Sequence, residues 1–484
     1  MMMCKTTARR GLTALAIFLL LLVATACRGN GSETGAIAGD PAGNEGSAEP
    51  KTVTVSVMTS NRFLELAKQK FEKAHPGINI DIKEYVAAPP TDGKLIVKAG
   101  DPQSADPKNV EKYASGVNTE LMSGKASDLI FMDSLSYKKY ADKKLLENLD
   151  ALMKNDKNFH MDDYYTNIFD AMKYKDGLYV LPIGIQLQLL AGNPAALGGV
   201  KIDDGGWTWA DWKNIVASAA RDDNKDGAPD YYALAGLDRQ PLLRTLLGTS
   251  YDKFVDEAGK KANFQSREFI DLLNLCKSLF DEKLIQPEMN RRSAAMFQPI
   301  HANEYAATLI SLQATFDGQG VLYNMPAEHD ANGTSFIPTM QLALNSKSKN
   351  KQEAWEFMKF LISEEMQSAR ELLSFAVNKK AGKAQQELAK AMTDPNSGAG
   401  SGSNPGQKQL RLMIDGKEFV PKPIEQKDLD VLERYVSGVK SAAQTDPKVL
   451  DIVLQETAPF FSGQKSAEDT AKIIQSKVST YLQE

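Results

Sequence analysis

The nonapeptide DDNKDGAPD sets Asp222, Asn224, Asp226, Gly227 and Asp230 at the first, third, fifth, sixth and ninth places of a calcium loop. Such spacing turns oxygens from one tight turn onto a single hard cation, with the glycine permitting the bend and Ala228 lending its carbonyl. The twelfth place is Ala233, so the bidentate glutamate of a full loop is missing. Two readings stay open: a weak extracellular Ca2+ site, or an acidic surface turn. Other chemistry is sparse. The only histidines are His75, His160, His301 and His329, with no His-Glu-x-x-His run, no Cys-x-x-Cys pair and no Gly-x-Ser-x-Gly elbow. The 62 acidic residues guarantee some carboxylate neighbours of the kind glycoside hydrolysis uses, but their order singles out no pair. A binding protein without a required cofactor is expected rather than an enzyme.

The first ten residues carry Lys5, Arg9 and Arg10 and no acid, and an apolar stretch at 11–23 is too short to span a bilayer. Residues 1–26 therefore read as an export leader. Ala24, Thr25 and Ala26 lead into Cys27, an arrangement that resembles the lipobox of bacterial lipoproteins, with Ala24 where leucine is usual. The resemblance implies that Cys27 is lipidated and holds the protein on the outer face of the cytoplasmic membrane. Residues 27–50 are glycine-rich and free of aromatics, a tether with a span of roughly 25 Å. Of three cysteines, Cys4 leaves with the leader and Cys276 sits in the apolar helical pattern FIDLLNLCKSLF, so no disulfide is expected. The formal net charge of −5 becomes −8 once the three basic leader residues are lost, which argues against nucleic acid or an anionic lipid surface as partner.

The body opens with Val53, Val55 and Val57 alternating, then Phe63, Leu66, Ala67, Phe71 and Ala74 at helical spacing, then INIDIKEY, with the His75-Pro76-Gly77 stop between. That is a strand, helix, strand unit with parallel pairing. A third strand follows at 129–132. Extended segments are expected at 176–190 and 333–345, and helices over KNKQEAWEFMKFLISEE and, with Ser466 and Asp469 in capping-box positions, at the C-terminus. Alternation of this kind predicts an α/β architecture. The run at 394–406 reads as a surface loop.

In open α/β sheets ligands bind beyond the carboxyl ends of strands. That rule selects Thr59, Ser60, Asn61 and Arg62 after the first strand, and Asp133 and Ser134 after the third; each of these also suits a helix cap.

Taken in order, FLELAKQKFEKAHPGINIDI, ASDLIFMDSLSYKKYADKKLLENLDALM, YKDGLYVLPIGIQLQLLAGNPAAL, GWTWADWKNIVASAA, LALNSKSKNKQEAWEFMKFLISEEMQ and APFFSGQKSAEDTAKIIQSKVSTYL resemble the extracellular solute-binding proteins of ABC importers, in the maltose- and oligosaccharide-binding branch. The resemblance implies a two-lobed periplasmic-binding-protein-like (type II) fold, each lobe a mixed, mostly parallel sheet flanked by helices. Lobe 1 would comprise 51–183 plus 339–418, and lobe 2 184–338 plus 419–484, with crossings near 181–185, 338–342 and 416–423. It adds Gln186, Gln188, Ser311, Gln313, Phe316 and Met340 as ligand-binding candidates. It further implies a monomer that traps a small solute, carbohydrate above all, and delivers it to a membrane permease. The same fold also serves a sensor or interaction module, and peptides or other polar solutes stay open as ligands. Trp207, Trp209, Trp212 and Trp355 fall in scaffold segments, which removes support for a long stacked glucan. The stretch 89–108 exceeds the usual strand-to-helix connection and is either decoration or a rim of the cleft.

Overall fold

A computed structural model describes residues 50–87, 106–225, 227, 229–287, 295–328, 333–397, 410–414 and 417–483. The leader, Cys27, the tether, most of 89–108, Asp226, Ala228 and part of 394–406 lie outside the described residues. Residues 49–484 form one compact unit.

Its first half builds β1 (Lys51–Val57), α1 (Arg62–Ala74), β2 (Ile78–Glu84), α2 (Pro107–Ser123), β3 (Leu129–Phe131), α3 (Tyr137–Asp142) and the long β4 (Leu181–Gly192). Then come α4 (Trp209–Ala219), α5 (Arg239–Gly248), α6 (Arg267–Asp281), β5 (Phe297–Ala302), α7 (Tyr305–Ala314), β6 (Val321–Asn324) and β7 (Thr334–Leu344). The chain ends with α8 (Lys351–Leu361), β8 (Phe375–Ala376), α9 (Lys379–Thr393), α10 (Gln426–Ser437), β9 (Val439–Ala442), α11 (Pro447–Phe461) and α12 (Ala467–Gln483).

Local chemistry sets these boundaries. Asn61 Oδ1 accepts the Leu64 N–H at 2.9 Å to start α1, and the His75 N–H returns to the Phe71 carbonyl to end it. Thr208 and Asp211 form a reciprocal capping box on α4, and Ser466 Oγ accepts the Asp469 N–H at 3.0 Å at the head of α12.

The nine strands form one mixed sheet. β1 pairs in parallel with β2 and β3, and β3 pairs antiparallel with β7. β4 and β7 are the straps of the molecule. The first half of β4 pairs with β7 (Leu181 to Leu342, Leu187 to Phe336) and with β8, and its second half pairs with β5 and β6. β9 lies parallel to the start of β7.

Because successive strand residues face opposite ways, β4 feeds two cores. Leu187, Leu189 and Ala191 enter the larger one with Val55, Phe71, Leu129 and Trp355, whereas Leu190 enters the smaller one with Trp209, Trp212, Phe297, Val453 and Ile474. Ile300, Tyr305 and Leu309, and Leu429, Leu432 and Val436 of α10, belong to the larger core. Both groups fall in segments that the sequence reading placed in lobe 2. The residues at 412–414 and 417–419 form a separate two-stranded hairpin. A late passage from the larger to the smaller core runs from Val439 to Val449. Cys276 is wholly buried in the smaller core, where desolvation pushes its thiol up to about 12. No helix among the described residues is long and apolar enough to cross a membrane.

Candidate functional site

A cavity of roughly 410 Å³ opens where elements of the two cores face each other. One wall is Asp133 to Lys138, after β3 and into α3, which is anchored in the larger core by Tyr137 and Tyr140. The opposite wall is Ala443 to Pro447, leading into α11, with Glu257 beside it. Gln186 of β4 and Ile337, Pro338, Thr339 and Gln341 of β7 make the floor. Register explains the floor: Gln186 opposes Ile337 and Gly184 opposes Thr339, and residues paired across an antiparallel ladder point to the same face.

A chain of polar contacts links the walls through the floor. Asp133 Oδ1 accepts the Gln341 N–H at 3.1 Å, and Gln341 Oε1 accepts from Gln444 Nε2 at 2.8 Å. Asp133 keeps an open surface toward the cleft, yet protein atoms crowd it. That desolvation pushes its carboxyl up to about 6, against the pull of N–H donors from Gln341, Asp133 itself and Met340. A carboxyl raised in the folded state costs stability once pH climbs from the ordinary carboxylate range through about 6, and the cost vanishes toward acid.

At the rim, Lys138 Nζ lies 2.9 Å from Glu257 Oε2, with side chains only 20% and 12% exposed. Lys139 Nζ sits 3.5 Å over the Tyr481 ring. Both contacts join α3 to elements of the smaller core. Asp446 caps α11 by accepting the Lys448 N–H at 2.9 Å, and accepts the Tyr481 hydroxyl at 2.9 Å.

Of the residues selected from sequence, Asp133 and Gln186 line the cavity. Ser134 is half-buried beside them. Asn61 Nδ2 reaches Met340 Sδ at 3.5 Å, and Met340 stands between two floor residues with φ of 51°, a left-handed backbone that a methionine rarely adopts. Thr59 and Ser60 are engaged locally, with Val86 and with Glu84 and Glu65, and Arg62 is exposed at the start of α1. Gln188 lies on the same strand face as Gln186, and its Oε1 is buried without a partner.

Ser311, Gln313 and Phe316 are not at the cavity. They ride on and just after α7, which packs against α9 and α10. Gln313 clasps the Lys422 backbone on both its N–H (2.8 Å) and carbonyl (3.1 Å), and Phe316 rests on the larger core. All four tryptophans are buried and none lines the cavity.

Sequence reasoning missed Gln341, Gln444, Asp446, Lys138 and Glu257. Asp446-Pro447 carried a readable signal, a capping aspartate before proline at a helix start. Glu257 had none, since only the fold brings its turn to α3.

In the candidate cation loop, Asp222 Oδ2 accepts the Gly227 N–H at 2.9 Å and Asp230 Oδ2 accepts the Asp223 N–H at 2.6 Å. Both carboxylates thus help close the turn, and Tyr231, just after the ninth place, carries the Arg221 guanidinium over its ring. Among the described residues no group of three or more His, Cys, Asp or Glu is arranged to hold a metal.

Residues 59–368 match the family model of bacterial extracellular solute-binding proteins. Comparison with curated protein sequences finds no significant relative. Among solved structures, the sugar-binding protein MalE of Xanthomonas citri superposes with a TM-score of 0.57 at 14% identity, covering 90% of this chain and 98% of that one. A family 1 extracellular solute-binding protein of Alicyclobacillus acidocaldarius gives 0.55 at 14% identity over 90% of this chain and 100% of its own. A periplasmic oligogalacturonide-binding protein of Yersinia enterocolitica gives 0.54 at 15% identity, over 89% and 99%. At such identities these likenesses establish the fold. The family match spans well over half the sequence and covers β1's exit, both straps and the α3 wall of the cavity: the chain belongs to the bacterial extracellular solute-binding proteins.

Proposed function

We propose that this protein is a receptor of an ABC importer, tethered through a lipid on Cys27, that traps a carbohydrate by closing two lobes about the β4 and β7 straps and presents it to a membrane permease. The observation that carries the reading is the cavity itself, walled by elements of both cores and floored by the straps. A solute held there touches both walls only when they approach, so its differential affinity for the closed form drives closure. Planar amides and a carboxylate along the floor and wall suit hydroxyl-rich ligands. Sugar-binding neighbours on the same fold support the ligand class.

The expected result is a rise in melting temperature with one class of saccharide. A ligand at a hundredfold excess over its Kd adds about 2.7 kcal/mol to the stability of the folded unit. A thermal-shift screen of neutral and charged di- to tetrasaccharides checks it, and the absence of any shift at millimolar concentration rejects the carbohydrate reading.

A further inference from the structure

The charges around the cavity are unequally answered. Four charged side chains line it: Asp133, Lys138, Glu257 and Asp446. Lys138 and Glu257 answer each other at 2.9 Å. The Asp446 carboxylate is 4% exposed and held by the N–H groups of its own helix and by the Tyr481 hydroxyl. Asp133 receives backbone N–H groups, yet among the described residues no basic side chain lies within ion-pair distance of it. The inner wall therefore presents a lone carboxylate with no counter-ion, next to the Gln186 and Gln341 amides. The lysines of the neighbourhood stand farther out: Lys139, Lys143 and Lys260 line an adjoining outer pocket of roughly 230 Å³.

On the carbohydrate reading given above, we propose that Asp133 is a specificity-determining charge filter: the cavity admits saccharides that offer hydroxyl or ammonium donors and rejects saccharides that carry carboxylates. A hydroxyl donates to the Asp133 carboxylate and an ammonium also supplies its missing counter-charge. A ligand carboxylate at the same place offers no donor and sets like charge against like in a cleft where water is displaced, so two terms act against it. The fold does not make this choice, since the Yersinia neighbour that superposes on the chain is an oligogalacturonide-binding protein.

Calorimetry near neutral pH on the protein, with neutral di- and trisaccharides of the gluco and galacto series matched to their uronate counterparts, tests the filter. The neutral member of a binding pair is expected to bind more tightly by about tenfold or more, the size of one unfavourable charge contact near a protein surface. Asp133→Asn keeps an acceptor for the Gln341 N–H and is expected to bring the ratio to within about threefold. Because charge repulsion is screened by ions, high salt is expected to narrow the ratio in the unaltered protein too, which guards against a variant that misfolds. A uronate that binds the unaltered protein as tightly as its neutral partner overturns the proposal, as does a ratio unmoved by both Asp133→Asn and salt. If no saccharide of either kind binds, the carbohydrate reading falls and the filter falls with it.

Discussion

Replacing Gln367 with leucine is expected to destabilise the folded unit by about 3–5 kcal/mol, although the two side chains are similar in size. Gln367 is wholly buried. Its Nε2 donates to the carbonyls of Ile183, at 2.6 Å, and Leu361, at 3.2 Å. Its Oε1 accepts the N–H of Val377 at 2.7 Å and of Asn378 at 3.4 Å. One amide thus ties the β4 strap to the end of α8 and to the segment after β8. Leucine keeps the packing and strands these backbone groups away from water, each at a cost of about 1–3 kcal/mol. Equilibrium urea unfolding reads the effect as a lower midpoint with an unchanged slope. A loss below about 1 kcal/mol contradicts the role assigned to this amide.

The second large effect concerns the rim. Glu257→Gln is expected to weaken saccharide affinity by about tenfold. The Lys138–Glu257 pair is mostly buried and joins a helix rooted in one core to a turn rooted in the other. On the proposed clamp, a pair that bridges the two walls adds its free energy to closure, and the apparent affinity falls with the closed population when it is removed. The Tyr251 hydroxyl, 3.3 Å from Glu257 Oε1, can still donate to the new amide oxygen, so the substitution removes charge with little change of shape. Binding calorimetry at two ionic strengths checks the account. The unaltered protein loses affinity with salt and the variant loses less. Equal affinities for both proteins would show that the pair does not report closure.

Much of this architecture is legible in the order of residues because local signals and burial agree. Asn61 before Phe63, Ala67 and Phe71 marks a cap followed by a buried stripe, and the structure has both, with Leu64 buried beside them while the expected Leu66 is half-buried and Ala74 exposed. The same agreement marks Trp355, Met358 and Leu361 on α8 and Ile474 and Val478 on α12. Asp133 is selected by a strand-end rule, and Gln186 by the resemblance to a family alone. The remainder depends on distant contacts that no window of sequence records. Ser311 and Gln313 are polar residues on a helix whose Tyr305, Ala306, Leu309 and Ile310 are buried, and only tertiary packing decides that its polar side meets Lys422 rather than the cavity. The late passage between cores leaves little local signal, because Val439–Ala442 is a four-residue strand with weak alternation, which pairs with β7 through a register shift. Glu257 comes from a short turn after Val255, and nothing in its neighbours announces a partner some 120 positions earlier in the chain.

The measurement that tests the central claim most directly is the gap between the rims. Lys143 and Lys260 are exposed residues on facing sides of the outer pocket, one following α3 and one on the smaller-core side. Spin labels on a Lys143→Cys, Lys260→Cys variant react selectively in the folded unit, because Cys276 is wholly buried. Double electron–electron resonance is expected to show a broad distribution of distances without ligand and a single short distance with a saturating saccharide. A distribution that a bound saccharide leaves unmoved would contradict the clamp.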